Sequence, residues 1–181
     1  GEFSINPSNL DLNITLDNYG VSKILSLDHI LASVINTKLL FNDNITTNIS
    51  LNTNSKLKNE IFNNAIINFN ISNGKIDFDE TILINKKIGS LELENSDLFL
   101  ENDRLILNTD VLVDINNTDE LFSFLLTNKK YRKSIKKILI NLDYDFLTKQ
   151  FNFNNIKIDN KDIGDRMLPI IDSFNNNNLD N

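Results

Sequence analysis

An almost unbroken alternation of apolar and polar residues over positions 70–159 constrains this chain more than any other feature. Leu91 and Leu93 are followed by Leu98 and Leu100. After a turn at Glu101-Asn102-Asp103 come Leu105, Leu107, Thr109, Val111 and Val113, at every second position. Successive side chains on a strand point to opposite faces, so this period sets one face against apolar material and leaves the other in water. A long, one-sided sheet is predicted, and what covers its apolar face becomes the functional question.

The rest of the chain extends the pattern. Leu10, Leu12, Ile14 and Leu16 form a first strand, ended by Asn18-Tyr19-Gly20. Ile24, Leu27, Leu31 and Val34 recur at helical spacing and predict a helix over 22–35, with Ser22 or Ser26 as its cap. Ile45, Thr47, Ile49 and Leu51 share a strand face, and a polar connection over 56–59 leads to a strand within 61–72. That strand enters Asn73-Gly74, the strongest hairpin signal present, because both residues tolerate positive φ. Ile76 and Phe78, Ile82 and Ile84, and two strands around Leu93 and Leu98 separated by residues 94–97 continue the sheet. Asn117 followed by Glu120 resembles a capping box ahead of a short helix carrying Leu121, Phe122, Leu125 and Leu126. Alternation then resumes with Ile138, Ile140, Leu142, Tyr144 and Phe146, and again with Phe151, Phe153, Ile156 and Ile158. An amphipathic helix over 161–174, kinked at Pro169, closes the chain. The expected fold is mainly β with a few short helices: nine or ten strands in a mostly antiparallel sheet, with neighbouring strands antiparallel. They form one large curved sheet, an open trough or half-barrel, with a closed β-sandwich as the alternative.

With 181 residues the chain suits one domain, or one piece of a larger protein. Residues 1–3 read as a remnant of expression cloning, 4–174 as a single β-rich domain, and 175–181 as a disordered Asn-rich tail. No initiator Met, signal peptide or membrane-spanning apolar run is present, so any anchor is expected outside this piece. Roughly one residue in five or six is Asn, and Ile, Lys and Phe are also plentiful, as an AT-rich genome would produce. The Asn residues interleave with strand positions, which argues against a prion-like tract. A net charge of −7 argues against broad nucleic-acid binding. The absence of Cys removes disulfides, thiolate chemistry and Cys-based zinc sites, and fits a periplasmic protein.

Candidate chemistry is sparse. His29, the only histidine, lies beside Asp28, yet no Cys or Ser nucleophile motif accompanies it, so it reads as structural or solvated. Asp77, Asp79 and Glu80, like Asp143 and Asp145, could pair for Ca²⁺ or glycoside chemistry, but they fall on the polar side of alternating strands. Lys129, Lys130, Arg132, Lys133, Lys136 and Lys137 form a basic cluster in an acidic chain. Its functional reading is contact with anionic head groups or an acidic partner, and its ordinary reading is a solvated loop edge. No P-loop, Gly-rich dinucleotide turn or metal-ligand spacing occurs, so the residues imply no enzyme, cofactor or metal.

Three short helices cannot cover so wide an apolar sheet. It must fold on itself, stack with copies, or curl around apolar ligand.

Over residues 67–159, about half the chain, the order of features resembles the AsmA-like family of bacterial envelope proteins, including its TamB and YhdP relatives. The matching features begin with Asn73-Gly74-Lys75-Ile76, Ile88-Gly89-Ser90-Leu91-Glu92-Leu93, and the strand over 105–115 closing in Asp114-Ile115. The short helix over 121–126, the basic segment and Asn155-Ile156-Lys157-Ile158-Asp159 complete them. The resemblance implies a periplasmic protein anchored in the inner membrane outside this piece. Its curled sheet would carry phospholipid or another acyl-chain lipid toward the outer membrane without a cofactor, continued by flanking segments of the same longer chain. Its implied lipid-lining residues are Leu91, Leu93, Leu98, Leu100, Leu105, Leu107, Val111 and Val113. The competing expectation is a structural or adhesive β-module on a bacterial surface that binds a protein partner.

Overall fold

Each alternating segment forms a strand in the computed structural model, which describes residues 2–5, 8–25, 37–56, 60–164, 167, 169, 171 and 172. Eleven strands make one open mixed sheet: β1 (Glu2–Ile5), β2 (Ser8–Asp17), β3 (Ile45–Asn54), β4 (Asn64–Ser72), β5 (Lys75–Asp77), β6 (Thr81–Asn85), β7 (Gly89–Glu101), β8 (Arg104–Ile115), β9 (Lys137–Asp145), β10 (Gln150–Ile158) and β11 (Lys161–Asp162). They lie side by side in chain order, except that β5 and β6 share one position between β4 and β7. β1 and β11 end the sheet without pairing to each other, so it is not a closed barrel, and no second sheet makes it a sandwich among the described residues. Two short helices, α1 (Val21–Leu25) and α2 (Thr118–Phe124), and a 3-10 turn at Lys129–Tyr131 complete the described elements.

Three tight hairpins share one cause. The central pairs Asn73-Gly74, Asn102-Asp103 and Asp159-Asn160 all have positive φ, between 49° and 69°. Two such residues make the turn whose twist matches that of paired strands, and Asn, Asp and Gly adopt it at least cost. The third hairpin corrects the helix expected from 161: Lys161 pairs back onto Ile158 and starts β11. Among the described residues a helical bond follows beyond it, where the Ile171 N–H donates to the Met167 carbonyl.

Two other expectations also change. β2 and β3 run parallel, not antiparallel, over Ser8–Asp17. A parallel pair needs a long crossover, and the chain between Asp17 and Ile45, which includes α1, supplies it. The segments around Leu93 and Leu98 are one 13-residue strand, β7, with a bulge where the register shifts between Glu94 and Asp97. One extra residue there moves the apolar positions from odd to even numbers while keeping them on one face. The gap between β5 and β6 lies against that bulge: Phe78 N–H donates to the Ser96 carbonyl, and Ser96 N–H to Asp79 Oδ1. β10 does the same between Phe153 and Asn155, which explains the shift from Phe151 and Phe153 to Ile156 and Ile158.

Directly opposed residues share a face, so the registers trace apolar rows across the sheet. One runs Leu16, Thr53, Ala65, Leu83, Leu91, Val113, Ile138, Ile158 from β2 to β10. A second runs Leu10, Thr47, Ile71, Ile76, Leu98, Leu107, Tyr144, Phe151. At about 4.8 Å per strand, each row spans about 34 Å. The opposite face is laced by amide–carboxylate pairs: Asn108 and Asn154 donate to Asp143, and Asn95 and Asn141 to Asp110. Four of the chain's asparagines serve this ladder.

Candidate functional site

The eight leucines and valines expected to line a lipid track form four directly opposed pairs on β7 and β8: Leu91–Val113, Leu93–Val111, Leu98–Leu107 and Leu100–Leu105. All eight therefore occupy the apolar face. Their surroundings divide them. Leu98 and Leu105 are buried at 2% and 6% exposure in a cluster with Ile71 and Ile76. Leu40 and Phe41, from the turns over 37–44, pack against that cluster together with Leu100 and Leu107. This end of the face is ordinary core.

A second cluster lies under α1, where Val21 and Ile24 pack on Leu51, Ala65, Ile67 and Leu83, with Leu91 at its margin. Between these covered regions Leu93, Val111 and Val113 are half-buried, as are Ile138 and Ile140 across the next strand. Two apolar recesses flank this strip. One, of about 160 Å³, is bordered by Leu91 and Val113 on the sheet and by Phe62, Leu121 and Phe124 above them. The other, of about 290 Å³, is lined among the described residues by apolar side chains alone, with Ile140, Phe153, Ile156 and Ile158 as its floor and Met167 and Ile171 as its rim. Such an arrangement can hold an unbranched hydrocarbon chain by burial alone, at roughly 0.8 kcal/mol per methylene removed from water. Sequence reasoning missed this larger recess as a site, although the paired runs Phe151/Phe153 and Ile156/Ile158 carried its signal.

The basic cluster is not one surface. Arg132 is engaged: its Nε donates to the Thr127 carbonyl at 3.0 Å and its Nη1 to Ser123 Oγ at 3.2 Å. The backbone N–H groups of Lys136 and Lys137 donate to Asp159 Oδ1 at 2.8 and 2.9 Å, which holds that carboxyl below its usual range. Lys137 already belongs to β9, whereas Lys129, Lys130 and Lys133 are exposed on the β8–β9 connection.

The acidic pairs are tied into the scaffold. Asp77 Oδ1 accepts from the Asp79 N–H at 2.6 Å. Asp145 is buried, which by itself would raise its carboxyl pKa; the Arg104 guanidinium and the N–H groups of Leu147 and Thr148 outweigh burial and lower it. Asp143 and Asp145 border a polar cleft of about 530 Å³ on the other side of the sheet. His29 lies outside the described residues. Among those described, no group of three His, Asp or Glu side chains is placed to hold a metal ion. None of the described helices is long and apolar enough to cross a membrane.

No protein-family model, curated protein or solved structure matches this chain.

Proposed function

We propose that this chain is a non-catalytic segment of an AsmA-like envelope protein, periplasmic and anchored to the inner membrane elsewhere in a longer chain. Its apolar sheet face serves as a track for acyl-chain lipid moving between the inner and outer membranes during envelope biogenesis. One observation carries the reading: the half-buried strip of Leu93, Val111, Val113, Ile138 and Ile140 leads into a recess that the described residues line with apolar side chains alone. A surface made only to support a fold would close this strip as it closes Leu98 and Leu105. Transport on such a track is passive. Hydrocarbon exchanges water for side chains of similar polarity, the head group stays in solvent, and no bond is made or broken.

Titration with a fluorescent fatty acid tests it. The wild-type chain should show saturable uptake. Ile140→Asp puts a charge opposite Val111 beside the recess and should abolish uptake while β-sheet circular dichroism persists. Absence of saturable uptake, or undiminished uptake by a folded Ile140→Asp chain, would remove the lipid-track reading.

A protein-binding β-module is the second reading, favoured by the outer edge of β1, which pairs with no further strand among the described residues. An open edge binds an extended peptide by adding a strand, and a chain that takes up no fatty acid but captures such a peptide would favour it.

A further inference from the structure

The β8–β9 connection ends in a surface unlike the rest of the molecule. After α2 the backbone turns at Leu126, whose N–H donates to the Ser123 carbonyl while Thr127 N–H donates to that of Phe122. This pair of bonds closes a helix through one residue in the left-handed region, a position that strongly favours Gly or Asn. Leu126 holds it at φ 53°. Of the eleven described non-glycine residues with positive φ, the other ten are Asn, Asp, Lys or Glu. A leucine there is strained, and this one is also 90% exposed. The two turn hydrogen bonds need the backbone conformation but not the leucine side chain, which is left in solvent, and a strained, exposed leucine points to a role outside the fold.

Its neighbours share that exposure. Phe124, Leu125 and Tyr131 are each more than half exposed. Lys129, Lys130 and Lys133 are exposed on the same connection, with the Lys130 Nζ 4.7 Å from the centre of the Tyr131 ring. Among the described residues no carboxylate forms an ion pair with these three lysines. Asp119 and Glu120 sit on the first turn of α2, at the end remote from Leu126.

The tip is also held in shape. Thr118 Oγ1 donates to the Ile135 carbonyl at 2.9 Å, joining the two ends of the connection, while Asn116 and Asn117 N–H both donate to the Ile88 carbonyl. Arg132 ties its middle through Thr127 and Ser123.

We propose that residues 124–133 are a docking tip for an anionic bilayer surface. Leu126, Phe124 and Leu125 enter the acyl boundary, Tyr131 sits at head-group level, and Lys129, Lys130 and Lys133 meet the phosphates. Charge complementarity selects this occupant: Lys129, Lys130 and Lys133 are all exposed on a tip whose residues 124–133 include no carboxylate, in a chain whose net charge is −7. Exposed apolar side chains on one short segment with exposed lysines match an interface where hydrocarbon lies just beneath anionic groups. The proposal goes beyond the lipid track and does not depend on it.

Co-sedimentation with vesicles of phosphatidylglycerol and phosphatidylcholine, against phosphatidylcholine alone, tests the tip. The wild-type chain should bind the anionic vesicles and release them as salt rises. Leu126→Gly removes the side chain at a position glycine favours, so it should keep or raise the unfolding midpoint while weakening vesicle binding roughly tenfold. Replacing Lys129, Lys130 and Lys133 together by Gln should erase the preference for anionic vesicles. Ile140→Asp, which tests the track, should bind vesicles like wild type, so failure of either proposal is distinguishable from failure of the other. Wild-type protein left in the supernatant, or Leu126→Gly binding at full strength, would overturn the docking tip. Concentration-dependent self-association abolished by Leu126→Gly, without vesicle binding, would assign the surface to a second copy and overturn it equally.

Discussion

Shortening Leu98 and Leu93 to alanine separates core from track along a single strand. Both lie on the apolar face of β7, on either side of its bulge, so the same chemical change is made in two surroundings. Leu98 is 2% exposed among Ile71, Ile76 and Leu105. Removing about three carbon groups there forfeits about 2.4 kcal/mol of burial. The residual cavity brings the loss to about 3 kcal/mol, within the range seen for enclosed leucines. Leu93 is half-buried and its surroundings can relax or admit water, so Leu93→Ala should cost about 1 kcal/mol. With a urea dependence of about 2 kcal/mol per molar, the unfolding midpoint should fall by about 1.5 M for Leu98→Ala and about 0.5 M for Leu93→Ala. Uptake of fatty acid should follow the reverse order, weakened by Leu93→Ala and retained by Leu98→Ala wherever that chain remains folded. Equal midpoint shifts, or a larger one for Leu93→Ala, would refute the division of the face into closed core and accessible strip.

Gly89 opposes Ile115 at φ 152°, and a β-carbon there would fall 1.9 Å from the Asp114 carbonyl oxygen. Gly89→Ala should therefore cost roughly 2–3 kcal/mol in a urea titration. At Asn102, φ 49°, alanine should lower the melting temperature by about 3 °C and glycine should not, a contrast that thermal scanning resolves. The depressed carboxyls of Asp145 and Asp159 give stability that is fully present at neutral pH and is lost as pH falls through their folded pKa values, below 3.8. Unfolding curves between pH 7 and pH 2 should show that acid loss, and Asp145→Asn should flatten it while lowering stability at pH 7.

Alternation made the sheet legible because the long strands are chiefly apolar on one face and chiefly polar on the other, with exceptions such as Leu112, buried on the polar side of β8. The bulge between Glu94 and Asp97 is what puts Leu91 and Leu93 on one face with Leu98 and Leu100, while the face shared within each run follows from that period. Which of them are enclosed does not, because period two identifies a face and says nothing of what lies over it. Leu98 and Leu105 are covered from residues 37–44, a segment whose sequence gives no sign of its destination. Parity changes such as Leu93 to Leu98 reflect bulges, which resemble loops when read locally. The parallel pairing of β2 and β3 depends on a distant crossover, so no local period encodes it. Asn73-Gly74 was readable as a turn, whereas Asp159-Asn160, with the same backbone conformation but no glycine, was masked by helical spacing beyond it. The basic cluster was evident in sequence. Its division into bound Arg132 and exposed Lys129, Lys130 and Lys133 required the folded chain.

Native mass spectrometry of the purified chain, followed by solvent extraction and lipid identification, tests the lipid track most directly. The account predicts a bound mass of phospholipid or fatty-acid size, lost on delipidation, regained on adding lipid, and missing from folded Ile140→Asp. A bare protein mass that takes up no added lipid, or a lipid adduct unchanged in Ile140→Asp, would contradict it.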